Sequence, residues 1–161
     1  MSIVVSDTSP IRALDFLQRL EVLEALFGEV IVPPAVATEL STPTRWGPPV
    51  ILSPHHFILV RSPTDTVAVN RWLQNLDAGE SEALALAEEL SADIVLIDEA
   101  AGRSAAQQAG FPVIGTLGIL VRAKRDGLID AVVPLMDRLQ DDFDFFVSDA
   151  LRQEVLRQCG E

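Results

Sequence analysis

The chain has 161 residues and a formal net charge of −12, with a sequence pI near 4.4, which argues against a protein held on nucleic acid by bulk electrostatics, because phosphate binding draws on Lys and Arg. With 48% hydrophobic residues and a mean hydropathy of +0.28 it is too apolar for a disordered chain, and its length predicts one compact domain over residues 1–161 with a real core. No apolar run approaches the ~18 residues of a membrane span, no basic segment precedes a cleavable apolar one, and the single cysteine, Cys159, has no partner for an internal disulfide, so a cytoplasmic protein is expected.

Ile3 to Ser6 reads as the first strand. Ser9 reads as an N-cap with Pro10 at the first helical position, and helical patterns run through Leu14 and Leu17 and then from Val22 to Phe27, where Gly28 is a stop. Glu29 to Val32 is a short strand ended by Pro33-Pro34, where a helix carrying Val36, Glu39 and Leu40 begins. Residues Ser41 to Pro54 hold Pro43, Gly47, Pro48, Pro49 and Pro54, a loop-rich segment. Phe57 to Val60 is a strand, Asp65 to Leu76 and Gly79 to Leu90 are helices, and Ile94 to Ile97 is a strand. A helix over Ala100 to Ala109, a short strand at Val113-Ile114 and helices near Thr116–Arg125, Ala131–Leu139 and Asp149–Gln158 complete the chain. Strands alternating with helices predict an α/β fold with a parallel sheet covered on both faces.

Four carboxylates fall where such a fold brings them together. Asp7 closes the run Ile3-Val4-Val5, and Asp98 closes Ile94-Val95-Leu96-Ile97. The carboxyl ends of parallel strands open onto the crevice where open α/β sheets bind ligands. Helical residues advance roughly 100° each, so Glu80 shares an apolar face with Ala83, Leu84 and Ala87, and Glu39 shares one with Ala35 and Val36. A Glu on the packing side of a helix is costly unless something pairs with it. Gathered acids repel one another and need a cation, and the simplest for an all-oxygen site is Mg²⁺ or Mn²⁺. Each acid also has a plainer reading: Asp7 as a helix cap, Glu80 as a partner of its helix dipole, Glu39 as a partly exposed helix-end group and Asp98 as a turn residue. Glu82, Glu88 and Glu89 point away or lie late in their helix. His55 and His56 have no spaced Cys or His partners, which argues against zinc.

These residues resemble a known family. Val5-Ser6-Asp7-Thr8-Ser9-Pro10, Val32-Pro33-Pro34-Ala35-Val36 with Glu39, Asp77-Ala78-Gly79-Glu80, and Leu96-Ile97-Asp98-Glu99 with Arg103 are similar to segments of PIN-domain nucleases. Gly115-Thr116-Leu117-Gly118, with Ala123-Lys124 and Gly127-Leu128-Ile129 behind it, resembles a prokaryotic VapC-type subgroup. The resemblance runs from Ile3 to the C-terminal helix. It implies a three-layer α/β/α sandwich with a parallel central sheet and metal-dependent cleavage of RNA, as in the toxins of toxin–antitoxin pairs. It places Asp7, Glu39, Glu80 and Asp98 as catalytic metal ligands for Mg²⁺ or Mn²⁺. Glu80 stands where many PIN proteins carry Asp, one methylene shorter. Ser9 matches a hydroxyl position often near the metal, beside its reading as an N-cap, and Arg103 either neutralises phosphate or balances Asp98 and Glu99.

The partners implied are single-stranded or structured RNA, an antitoxin protein and a second copy in a homodimer. Arg12, Arg45, Arg61, Arg71, Arg122, Lys124 and Arg125 are candidates to hold RNA or are ordinary surface charge, and Trp46 either stacks on a base or packs. An aspartate-nucleophile phosphatase needs a second acid two positions after Asp7, where Ser9 stands, and no phosphate-binding glycine loop occurs. The main alternative is a catalytically weak PIN-like module that binds a protein or RNA.

Overall fold

In the computed structural model, which describes residues 2–45 and 47–161, five short strands form the centre: β1 (Val4–Ser6), β2 (Val30–Val32), β3 (Ile58–Val60), β4 (Ile94–Leu96) and β5 (Val113–Ile114). Trp46 lies outside the described residues, and with it the stacking role considered for it. The strands pair in the order β3-β2-β1-β4-β5, and every pairing is parallel. Such strands are buried on both faces and therefore rich in Val, Ile and Leu. Their side chains alternate between two cores. Val4, Val30, Val32, Leu96 and Ile114 enter one, and Val5, Ile31, Val95 and Ile97 the other.

The first core is covered by helices α1 (Thr8–Phe16), α2 (Glu21–Phe27), α3 (Pro34–Leu40), α7 (Thr116–Arg125), α8 (Val133–Asp142) and α9 (Asp149–Cys159). The second is covered by α5 (Ala78–Leu90) and α6 (Ala100–Gln108), with Trp72 of α4 (Thr66–Leu73) against it. This is the three-layer α/β/α arrangement expected. Element boundaries differ from the sequence reading by one to three residues, within the usual scatter of helix and strand ends.

Strand order decides where a ligand would sit. From β1 the chain lays β2 and β3 to one side, then crosses through α4 and α5 to place β4 on the other side of β1. The order reverses between β1 and β4, and open α/β sheets bind ligands at the carboxyl ends of the strands flanking such a reversal. The register Ser6↔Leu96 puts Asp7 and Asp98 at the same end of neighbouring strands.

One local expectation is corrected. Ser9 is not the N-cap of α1: the helix begins at Thr8, and Asp7 holds the cap position with extended backbone (φ −79°, ψ 179°). The Asp7 N–H still donates to Leu96 O at 2.9 Å, so the sheet ladder runs up to Asp7 and the chain turns into helix at once. Pro10 then falls within the first turn, where its missing N–H has no intrahelical acceptor to lose. The Asp7 side chain makes no capping bond, so capping does not account for the acid either.

Candidate metal and active-site crevice

Asp7 and Glu39 face one space at the carboxyl end of β1, and the charge of Glu80 on α5 bears on Asp7. Asp7 is 5% exposed and Glu80 is 5% exposed, while Glu39 is half-buried. A Cβ placed on Gly79 would lie 2.8 Å from Glu39 Oε1 and 3.2 Å from Asp7 Oδ1. The absence of a side chain at Gly79 therefore leaves the space that both carboxylates face. Thr8 Oγ1 donates to Glu39 Oε2 at 2.5 Å and fixes that carboxylate from the first turn of α1. Glu80 uses one oxygen locally: Asp77 accepts from Glu80 N at 2.8 Å and Glu80 Oε1 accepts from Asp77 N at 3.3 Å, a capping box that starts α5. Its other oxygen, Oε2, is the buried side-chain polar atom that finds no hydrogen-bond partner among the described residues. It leans against Gly102, where a Cβ would lie 2.6 Å from it.

Burial and mutual repulsion show in the proton affinities. Asp7 is pushed from its ordinary 3.8 up to about 7, first by burial and then by the charges of Glu80, Asp77 and Glu39, against the backbone N–H of Thr8, which pulls it down. Glu80 rises from 4.5 to about 7, again mainly by burial, with Asp77 and Glu99 adding repulsion and the backbone N–H of Asp77 opposing it. Both groups thus retain protons close to neutrality when nothing positive faces them.

Asp98 stands at the adjoining strand end and is held differently. Thr116 N donates to its Oδ1 at 2.7 Å and Thr116 Oγ1 to its Oδ2 at 2.6 Å. Its carboxylate therefore meets the first residue of α7. Burial raises its proton affinity, while these two bonds and the Arg103 guanidinium lower it. Arg103 Nη1 donates to Ile97 O at 3.1 Å, and Gly115 leaves room for Arg103 and Asp98 to approach the same point. Thr116→Val removes one bond to a charged group and is expected to cost about 1–2 kcal/mol in urea unfolding. The helix should remain intact by circular dichroism, because the backbone bond to Asp98 survives.

A family model described as a PIN domain matches residues 3–161. The chain belongs to the PIN-domain family. No curated protein is similar enough to the chain to count as a match. PIN domains are generally nucleases that bind nucleic acid and use divalent metal ions.

In this PIN domain the acids set aside on sequence grounds have structural partners. Glu82 accepts from Ala35 N at 3.2 Å, Glu88 from Arg71 and Trp72, and Glu89 from Thr64 and Asp65. Glu99 is exposed at the start of α6. Several basic residues considered for RNA are also engaged. Arg12 donates to the Glu39 and Thr42 carbonyls, Arg45 pairs with Asp144, Arg71 with Glu88 and Lys124 with Glu161. Ser9 is half-buried within α1. Gly102 had no place in the sequence reading, and Thr8, Asp77, Gly79 and Thr116 stood there only within family segments or as helix bounds, without a role. The signal for Thr116 was a hydroxyl at the start of a helix that follows a strand, beside a strand-end acid.

The donor chemistry of this PIN domain fits a hard divalent cation: carboxylate oxygens of Asp7 and Glu39 face a space cleared by Gly79, and Glu80 keeps a buried oxygen without a partner against Gly102. Among the described residues no three of His, Cys, Asp and Glu already stand close enough together to enclose an ion. Asp98 is the acid set apart, turned onto Thr116. No described helix is long and apolar enough to cross a membrane.

Proposed function

We propose that this single PIN domain is a metal-dependent endoribonuclease, with Asp7, Glu39, Glu80 and Asp98 as the catalytic acids holding Mg²⁺ or Mn²⁺. The observation that supports the reading is that Asp7 and Glu39 face one space near the β1/β4 reversal, while Glu80 Oε2 is buried and unpartnered. A divalent ion there would lower the pKa of water and offset charge on a phosphodiester. The chain's own residues set the stage for that chemistry. Asp7 and Glu80, which hold protons near neutrality, would lose them to solvent when a divalent ion takes their place. Thr8 and Thr116 orient Glu39 and Asp98, and Ser9 stands one residue beyond Thr8 as an auxiliary hydroxyl. Arg103 lies beside Asp98, where it can neutralise a phosphate.

The cellular setting follows the VapC-type resemblance: the toxin of a toxin–antitoxin pair, cytoplasmic, working as a homodimer and restrained by an antitoxin. The test is cleavage of a single-stranded RNA panel with Mg²⁺, Mn²⁺ or EDTA. Cleavage with either ion and none in EDTA is expected; cleavage that persists undiminished in EDTA rejects the metal.

A second reading has one observation in its favour. No three acids among the described residues already enclose an ion, as in a catalytically weak PIN-like module whose role is to bind a protein or RNA. Its mark would be a Mn²⁺-induced rise in melting temperature with no turnover on any RNA.

A further inference from the structure

Beside Asp98 a cavity of about 540 Å³ opens between α7 and α9, a volume in the range of small-ligand sites. Its charge runs against that of the whole molecule. Arg103, Arg122 and Arg125 line it in a chain of net charge −12, and Arg122 and Arg125 form no ion pair among the described residues. Two acids also line it. Asp98 is engaged by Thr116, and Glu154 is met by two bonds from Arg157 and one from Gln158. With Arg157 paired to Glu154 and one arginine set against Asp98, the balance of the lining is positive.

Its apolar surfaces suit flat rings. Leu117, Val121 and Val155 form buried parts of the wall. Phe146, in the connection from α8 to α9, stands at the edge with 85% of its surface exposed. Burying a Phe is worth roughly 1.5–3 kcal/mol, so one left in water beside a groove offers a stacking face. Gly115 and Gly118 project no side chain into the passage from Asp98 to this groove.

We infer that the α7/α9 groove seats a nucleotide of a single-stranded RNA next to the bond presented at Asp98, with phosphates on Arg122 and Arg125 and a base stacked on Phe146. This rests on the nuclease reading for its orientation, but not for its binding chemistry. Phosphate contacts explain why the arginines gather here despite the acidic whole, and aromatic stacking accepts any base. A purely apolar peptide would leave the two unpaired arginines unused.

The test is fluorescence anisotropy with labelled oligo-U and oligo-A RNA in EDTA, where a metal-dependent cut does not occur. The Arg122→Gln/Arg125→Gln variant is expected to bind about tenfold or more weakly and to flatten the slope of log Kd against log salt by about 1–2. Phe146→Ser is expected to weaken binding roughly tenfold, as for one lost stack, with the salt slope unchanged. Failure of the wild type to bind, or wild-type affinity and slope in both variants, overturns the inference. If the wild type cleaves RNA with Mn²⁺ while both variants bind as it does, the groove assignment fails and the nuclease reading stands. If binding responds as expected and no RNA is cut, the groove assignment stands and the nuclease reading fails. Variants that change sedimentation from dimer to monomer with RNA affinity untouched also overturn it, making the groove an interface between copies.

Discussion

Asp7→Asn is expected to slow RNA cleavage about 10²–10³-fold while making the metal-free protein more stable above pH 7. The two effects share one cause. Asp7 is buried and its pKa is lifted from 3.8 to about 7, so between those values the folded protein holds a proton that the unfolded chain has lost. Stability then falls as pH rises through this window, and above about pH 7 the whole penalty is present. A lift of this size corresponds to about 4 kcal/mol at most. Asn is nearly isosteric and carries no charge to desolvate, so it removes the penalty and the repulsion against Glu39 and Glu80. Loss of a group that stabilises charge in the reaction costs about 10²–10³-fold in rate. In EDTA, the wild type should melt lower at pH 8 than at pH 5.5, with the variant losing the Asp7 share of that difference and keeping the share of Glu80. Mn²⁺ should raise the melting temperature of the wild type far more than that of the variant. Equal cleavage by the two proteins would rule out a catalytic Asp7.

Gly79→Ala should separate activity from stability even more clearly. The added methyl would meet Glu39 Oε1 at 2.8 Å and Asp7 Oδ1 at 3.2 Å. The nearest atom is the far end of a flexible side chain, so Glu39 can swing aside without disturbing the core. Ala also favours a helix over Gly by up to about 1 kcal/mol, and Gly79 lies in the first turn of α5. The variant should therefore unfold at the same or higher urea concentration than the wild type. Displacing Glu39 from the crevice should lower apparent Mn²⁺ affinity and cleavage by about 10–100-fold, as for lost support of metal ligands. Full activity in a stably folded Gly79→Ala protein would show that the space above Gly79 is not where the acids act together.

The contrast between these residues marks what could be read from the chain. The strands were legible because each is a short Val/Ile-rich run with an acid, proline or glycine near its end. Glu80 was legible because its companions at three, four and seven positions are apolar and do pack on the sheet. The segments that carry the PIN-domain resemblance were legible as an ordered set. What escaped were relations between distant segments. The two bonds that turn Asp98 onto Thr116 span 18 residues, and no periodicity encodes them. Asp77 read as part of a family segment, yet its charge bears on both Asp7 and Glu80. Gly79 and Gly102 resembled ordinary small helix residues until the carboxylates beside them were placed. Arg12 and Lys124 resembled candidates for a nucleic-acid surface because a sequence does not show that their charges are already spent inside the fold.

The central position of β1 bears on how the protein comes to life. Its partner β4 is distant in the chain: Ile3 N donates to Asp93 Oδ2 across 90 residues. Asp7 and Asp98 come to neighbouring strand ends only when the long crossover through α4 and α5 has closed. Non-local parallel pairings of this kind form late and slowly. A crevice assembled in that order is complete only in the folded domain, because its acids come from segments that local structure alone does not bring together.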